Sequence, residues 1–401
     1  MADLNVRDNI AIAVDGGGIK GAIVARALMQ LEEILGVKAL IESPNLKVIA
    51  GTSTGSIVAG CLAAGMPAKD LLRLYHTLGP KVFGQGGRLR PFGKTVPLLS
   101  QLPGAVTIKL IHLLDWLPKG VNEFLIYPLF PARYSARPLR EAMMEVVKQY
   151  PIGNTTNPTL ADATRHLSEK YHGQTLIITA VEVEARRTHF FKTNALEKYQ
   201  NSMTLIEAIL ASSAIPTYWE PVPLPKEPRD PAYDPPDRWL VDGGVGSFGN
   251  PALVAAWEMC NPANPDDRRR YAPSQTTILS FGTGTVSRNI YRKKYGNPRN
   301  WWALQWAGHV PDLFGDSAIR EQSRNIVTSY EGIDLRRYQV EFDRVIQADA
   351  IHLLDTVLRE KGEEMAKNLL EDRHALQREM GLRYDPERIF DDLLMGYFQR
   401  Q

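Results

Sequence analysis

Four short apolar runs end in glycine turns, and this pattern narrows the possible folds more than any other feature of the chain. Ile10-Ala-Ile-Ala-Val14 enters Asp15-Gly16-Gly17-Gly18, and Lys47-Val-Ile-Ala50 enters Gly51-Thr52-Ser53-Thr54-Gly55. Trp239-Leu-Val241 enters Asp242-Gly243-Gly244, and Thr277-Ile-Leu-Ser-Phe281 enters Gly282-Thr283-Gly284. Each run reads as a buried strand and each glycine cluster as the turn that ends it. Between the first two, residues 21–36 place Ile23, Ala27, Leu28, Leu31, Ile34 and Leu35 at near-helical spacing, with Gly36 as a stop signal. Small apolar residues over 56–64 read as a second, packed helix. Strand alternating with helix predicts an α/β fold with a mostly parallel central sheet flanked by helices. In such sheets ligands bind beyond the carboxyl ends of the strands, where these turns lie.

Thr175-Leu-Ile-Ile-Thr-Ala180 adds another strand. Residues 79–133 are rich in Gly and Pro, and the charges there are mostly basic: Lys81, Arg88, Arg90, Lys94, Lys109 and Lys119. Apolar clusters such as Leu110-Ile111 and Leu113-Leu114 interleave with them. This stretch is a candidate lid or membrane-facing surface, or an insertion packed on the domain. Residues 226–238 read as a proline-rich surface loop. From about Arg288 the pattern turns helical, and residues 351–361 and 364–380 read as amphipathic surface helices. Trp301, Trp302 and Trp306 with Leu304 and Phe314 read as core or as a lipid contact. No internal repeat is present.

With 401 residues and 44% apolar content, the chain is long enough for one large core or two smaller ones. A net charge of +2 gives no footprint for a nucleic-acid polymer. Cys61 and Cys260 are too few for a disulfide framework or a zinc site, and Cys61 reads as a small core residue. No apolar stretch reaches the ~20 residues of a membrane span, and the first ten residues do not form a signal-peptide pattern. The expected location is cytoplasmic, peripheral at a membrane.

Gly51-Thr52-Ser53-Thr54-Gly55 has the G-x-S-x-G form. On a strand-to-helix turn, glycines let the chain bend sharply and push the serine hydroxyl out of the sheet edge, as a nucleophile requires. Small residues also occur wherever a strand packs on a helix, so the motif gains weight from its neighbours. Asp15-Gly16-Gly17-Gly18-Ile19-Lys20-Gly21 opens a helix with three side-chain-free residues. The backbone N–H groups there suit either a phosphate or an oxyanion. Glycines at 16, 18 and 21 fit a dinucleotide fingerprint in letters, with Glu42 as its acidic residue; a Walker ending is lacking. The oxyanion reading ranks first because a nucleophile candidate follows one βα unit later. Asp242, at a strand end before Gly243 and Gly244, is a candidate general base.

Taken together, these three motifs resemble the patatin-like phospholipases, a family of lipid acyl hydrolases. Tyr134-Ser-Ala-Arg-Pro-Leu139, Ala211-Ser-Ser-Ala-Ile-Pro216, Asn250-Pro-Ala-Leu253 and Phe281-Gly-Thr-Gly284 extend the resemblance in the family's order. It implies a three-layer catalytic domain over residues 8–285, followed by a helical C-terminal region over 286–401. It further implies a Ser53–Asp242 dyad, an oxyanion hole of Gly16, Gly17 and Gly18 N–H groups, and supporting roles for Asp15, Lys20, Gly21, Gly51, Gly55, Gly243 and Gly244. No metal, histidine or other cofactor is needed. The implied partner is a phospholipid or other acyl lipid, with peripheral membrane contact. Lys20 stands where the family usually has arginine; lysine keeps the charge but loses the fork-shaped contact.

Three alternatives stay open in the sequence. A Ser–His–Asp triad would draw on His309, His352 or His374. An acyltransferase would use the same acyl-enzyme with another acceptor. A non-catalytic lipid- or nucleotide-binding regulator would keep only the fold, and has no need of an intact serine, aspartate and glycine set.

Overall fold

The computed structural model describes residues 4–84, 132–194, 199, 201–225, 238–261, 271–286, 288–301 and 303–376. Most of the expected 79–133 stretch, including Arg88, Arg90, Lys94, Lys109 and Lys119, lies outside these residues, as does 226–237.

Side-chain alternation in the first strand explains the layering. In β1 (Asn9–Val14), Ile10, Ile12 and Val14 belong to one core and Ala11 and Ala13 to another. Successive strand residues point to opposite faces, so a strand buried throughout must be covered on both sides. The chain continues through α1 (Gly21–Leu35), β2 (Leu46–Thr52), α2 (Thr54–Ala63), α3 (Ala68–Phe83), α4 (Arg137–Gln149) and α5 (Leu160–Lys170). Then come β3 (Thr175–Glu182), β4 (Arg187–Lys192), α6 (Leu205–Ser212), β5 (Val222–Pro223), β6 (Trp239–Asp242) and α7 (Ala252–Cys260). The remainder comprises β7 (Thr276–Phe281), β8 (Thr285–Val286), α8 (Arg288–Tyr295), α9 (Ala303–Ser329), β9 (Asp334–Tyr338), β10 (Glu341–Phe342) and α10 (Val357–Leu370).

The central sheet runs β5-β6-β3-β2-β1-β7-β9, with β4 paired to β3. The pairs from β3 to β9 are parallel, and β4, β5 and β6 add antiparallel pairs at one end. The expected α/β class with a mostly parallel sheet is therefore present. One face is covered by helices that include α1, α2 and α6. The other carries α7 and the end of α9, and its alanines Ala11, Ala13 and Ala50 meet Ala252, Ala255 and Ala256 of α7. Cys61 is buried in α2, as expected.

The C-terminal part departs from the helical expectation. The sheet does not stop at residue 285, because β9 lies beside β7 in register, with Ser280 opposite Arg337. Two arginines in Asp334-Leu-Arg-Arg-Tyr338 disguise this strand as a surface segment. The expected helix over 364–380 also ends early. α10 stops at Leu370, and Asp372 turns to accept Arg336 Nη1 at 3.0 Å and Tyr338 Oη at 2.9 Å. Its φ of 49° is left-handed and cannot continue a helix. Leu358, Met365 and Leu369 of α10 are buried, so this helix is one wall of the core as much as a surface.

Candidate active site

The Ser53 turn takes the sharp form its sequence predicts. Ser53 has φ 55° and ψ −124°, a conformation that costs a non-glycine residue of order 1–3 kcal/mol and is held only by firm surroundings. Those surroundings come largely from the end of α6. Ser53 N donates to Ser212 Oγ at 2.9 Å, while the Ser53 carbonyl accepts from Ser56 Oγ at 2.6 Å and Ser213 Oγ at 3.3 Å. Gly55 has to be glycine, because a Cβ there would run into the Val14 carbonyl of the neighbouring strand. Gly51 lies against Gly55 in the same turn.

The glycine loop after β1 crosses directly over the serine. A Cβ on Gly16 would stand 3.1 Å from Ser53 Cβ. The loop is pinned from three sides. Gly16 N donates to Gly249 O at 3.1 Å, the Gly16 carbonyl accepts from Thr283 Oγ1 at 2.6 Å, and Ile19 N donates to Ala348 O at 2.8 Å. This narrows the expected oxyanion hole. The Gly16 N–H is already committed, whereas Gly17 and Gly18 donate to none of the described residues. Gly18 has φ 61° and lies against Ala348, so a side chain there would be both strained and obstructed. Gly21 packs against Tyr75 and Thr54 at the start of α1, where Lys20 is the half-buried N-cap.

Asp242 ends β6, two strands from β2 across β3, and its N–H donates to Ala214 O at 3.0 Å. The Ala211–Pro216 motif thus holds both Ser53 and Asp242. Oδ1 accepts the Gly244 N–H at 2.7 Å, while Oδ2 is buried without a hydrogen bond of good geometry. Burial pushes the carboxyl up to about 7, although the adjacent Ser53 hydroxyl and the Gly244 N–H both favour the carboxylate. The Ser53 hydroxyl therefore adjoins the carboxyl. Gly243 packs on Thr179 of β3.

Asp15 plays a different part, with a partner that motif reading did not supply. Arg337 of β9 is fully buried and reaches across Ser280 to Asp15. Its Nη1 and Nη2 donate to Asp15 Oδ1 at 2.9 Å and Oδ2 at 2.5 Å, a two-pronged contact. Asp15 leads directly into Gly16, so this pair fixes the root of the glycine loop. A buried acid in a glycine motif does signal that a cation must be nearby. It does not say which of the 47 lysines and arginines that will be.

The histidines weighed for a triad lie elsewhere. His309 Nδ1 bonds Tyr291 Oη at 2.9 Å and its ring stacks on Trp301. His352 is exposed, and His374 lies against Tyr338. No histidine bonds to Ser53 or Asp242 among the described residues. Glu42, the candidate ribose ligand, instead accepts the N–H groups of Lys38 and Ala39 in its own turn, at 3.2 and 3.4 Å. Among the described residues no group of three or more His, Cys, Asp or Glu is arranged to hold a metal, and no helix is long and apolar enough to cross a membrane.

Ser53 forms part of the wall of a narrow apolar pocket. Ile19, Ile57, Leu78, Val82, Leu139 and Trp219 line it. Aliphatic walls beside a nucleophile suit a hydrocarbon chain.

The patatin-like phospholipase family profile matches residues 12–256. Patatin-like protein 2 of Arabidopsis thaliana is 28% identical over 324 residues, which cover 74% of this chain and 65% of the relative. The cGAMP-activated phospholipase of Pseudomonas aeruginosa (strain BWHPSA011 / Pa011) is 24% identical over 382 residues, covering 92% of this chain and 88% of that protein. Among solved structures, VipD from Legionella pneumophila aligns with 92% of this chain and 67% of its own at 13% identity; its TM-score of 0.39 is too low to support an inference. The chain thus spans about two thirds of the length of the plant relative. The profile match covers more than half of the chain and takes in the Gly16–Gly18, Ser53 and Asp242 turns together, so the chain belongs to the patatin-like phospholipase family.

Proposed function

We infer that this chain is a serine lipid acyl hydrolase that cleaves fatty-acyl esters through a Ser53–Asp242 dyad and an acyl-enzyme. The observation that carries this reading is the buried Asp242 carboxyl beside the Ser53 hydroxyl, its Oδ2 held by no other group among the described residues. A base poised near the working pH accepts a proton readily and returns it readily.

In the first step Asp242 takes the Ser53 hydroxyl proton as Oγ bonds to the ester carbonyl carbon. The carbonyl oxygen becomes an oxyanion, which the Gly17 and Gly18 N–H groups, donating to none of the described residues, are free to bind. The intermediate collapses, the C–O bond to the leaving alcohol breaks, and Asp242 returns the proton to that oxygen. Water then attacks the acyl-serine while Asp242 takes its proton. Release of the carboxylic acid returns that proton to Ser53 Oγ. The apolar walls favour a hydrocarbon group over a polar one, at about 0.8 kcal/mol for each methylene they bury.

A fluorophosphonate probe tests the reading directly. Mass spectrometry of the labelled chain should place the adduct on Ser53, and Ser53→Ala should abolish it. A folded chain that hydrolyses acyl esters yet carries the adduct elsewhere would refute the assignment.

A further inference from the structure

The exposed apolar residues of the described chain are not scattered evenly. Trp306, Leu313 and Phe314, which lie on the first half of α9, are 40%, 46% and 74% exposed. Their spacing of seven and eight residues puts them on one side of the helix. The second half of α9 is packed. Ile326 and Val327 are buried in the core, Gln322 Nε2 donates to Ser247 O at 2.8 Å, and Ile319 touches Gly249. Residues 243–249 form the turn that follows Asp242, and Gly249 O also holds Gly16 N. Leu313 and Phe314 precede Ile319 by five or six residues, roughly 8 Å along the helix. Val245, in the same turn, is 55% exposed. The exposed row therefore belongs to the helix whose other half packs on the turn after Asp242.

Basic residues adjoin this row. α8 ends in the exposed cations Arg292, Lys293 and Lys294, and Arg299 is exposed just beyond it. Aromatic packing fastens α8 to α9: Tyr291 Oη bonds His309 Nδ1, Trp301 stacks on His309, and Trp301 meets Trp306 edge-on at 5.0 Å. Residues 288–329 carry seven Lys and Arg against three Asp and Glu, whereas the whole chain is nearly balanced at 47 to 45. Local positive charge next to a large aromatic and aliphatic face is the chemistry of an anionic bilayer surface, with cations at the phosphates and rings at the acyl boundary.

We propose that α8 and the first half of α9 form the membrane-docking surface of this chain, and that its partner is an anionic phospholipid bilayer. Phe314, Leu313 and Trp306 enter the interface, and Arg292, Lys293, Lys294 and Arg299 pair with phosphates. This inference rests on the lipid-hydrolase reading.

Sedimentation of the full chain with phosphatidylcholine vesicles, with and without phosphatidylglycerol, tests it. Hydrolysis of a soluble short-chain ester is followed in parallel. The chain should bind the phosphatidylglycerol vesicles. Leu313→Ser/Phe314→Ser should weaken that binding by about tenfold or more. Arg292→Glu, Lys293→Glu and Lys294→Glu should each weaken it by about fivefold or more, with the loss reduced at high salt. Soluble-ester turnover should be unchanged in every variant. Vesicle binding that survives these substitutions overturns the proposal. So does a Leu313→Ser/Phe314→Ser variant that changes oligomeric state without changing vesicle binding, since the face would then join copies of the chain. Absence of soluble-ester turnover in the unaltered chain counts against the hydrolase reading, separately from the vesicle result.

Discussion

Two buried aspartates stand at the carboxyl end of the same sheet, and they are treated in opposite ways. Asp15 meets a fully buried guanidinium that occupies both of its oxygens. Asp242 has one N–H on Oδ1, a serine hydroxyl nearby and an Oδ2 that no cation meets among the described residues, and burial raises it to about 7. A paired carboxylate is a fixed strut, whereas an underpaired one can change protonation state. The strut lies at the root of the loop that crosses Ser53, and the labile carboxyl lies beside the serine itself. Their difference separates a positioning residue from a candidate base, although both begin an Asp-Gly-Gly motif.

The largest effect should come from removing the labile group. Asp242→Asn should lower esterase turnover roughly a thousandfold or more, as loss of a general base does. It should also stabilise the fold at pH 8. The folded-state pKa of about 7 lies above the ordinary aspartate value of 3.8, so the native state binds the extra proton. That contribution is complete below about pH 4 and is lost as pH rises through about 7. At pH 8 the buried charge opposes folding by up to about 4 kcal/mol, an upper figure for what asparagine can recover in a denaturation midpoint. A variant less stable at pH 8 than the parent would mean that Asp242, like Asp15, is a strut.

Breaking the strut should act on stability. Arg337→Met removes the guanidinium that donates to both Asp15 oxygens, at a cost of about 3–5 kcal/mol. The double variant Asp15→Asn/Arg337→Met should recover most of this loss in a chemical denaturation series. Failure of the double variant to recover would show that Arg337 stabilises the sheet by some route other than Asp15. The smallest effect should come from Lys20→Arg, which restores the family's usual residue. With the loop already held by Arg337, Thr283 and Ala348, turnover should change about twofold or less. A large gain would reassign the positioning role to residue 20.

The parts of the fold legible in the sequence are those set by local chemistry. Apolar runs closed by glycine gave β1, β2, β6 and β7, and glycine had to stand at Gly55 because the chain passes against another backbone there. The turns that carry Ser53 and Asp242 were legible for the same reason, since neighbouring residues dictate their shape. What was missed depends on contacts distant in sequence. β9 was hidden by Arg336 and Arg337, whose charges are neutralised by Asp334, Asp372 and Asp15. Three adjacent glycines look alike as letters, yet the Gly249 carbonyl takes the Gly16 N–H, whereas Gly17 and Gly18 donate to none of the described residues. The packing of α9 on the turn after Asp242, through Ile319 and Gln322, is likewise announced by no helical periodicity.

The pH dependence of kcat/KM on a soluble ester, measured for the parent chain and for Asp242→Asn, tests the Ser53–Asp242 assignment most directly. Activity should rise with pH through a single step centred near 7 in the parent, as the Asp242 carboxyl loses its proton. That step should be absent from the residual activity of Asp242→Asn. A rising step near 7 that persists in Asp242→Asn would contradict the assignment and place the base on another residue.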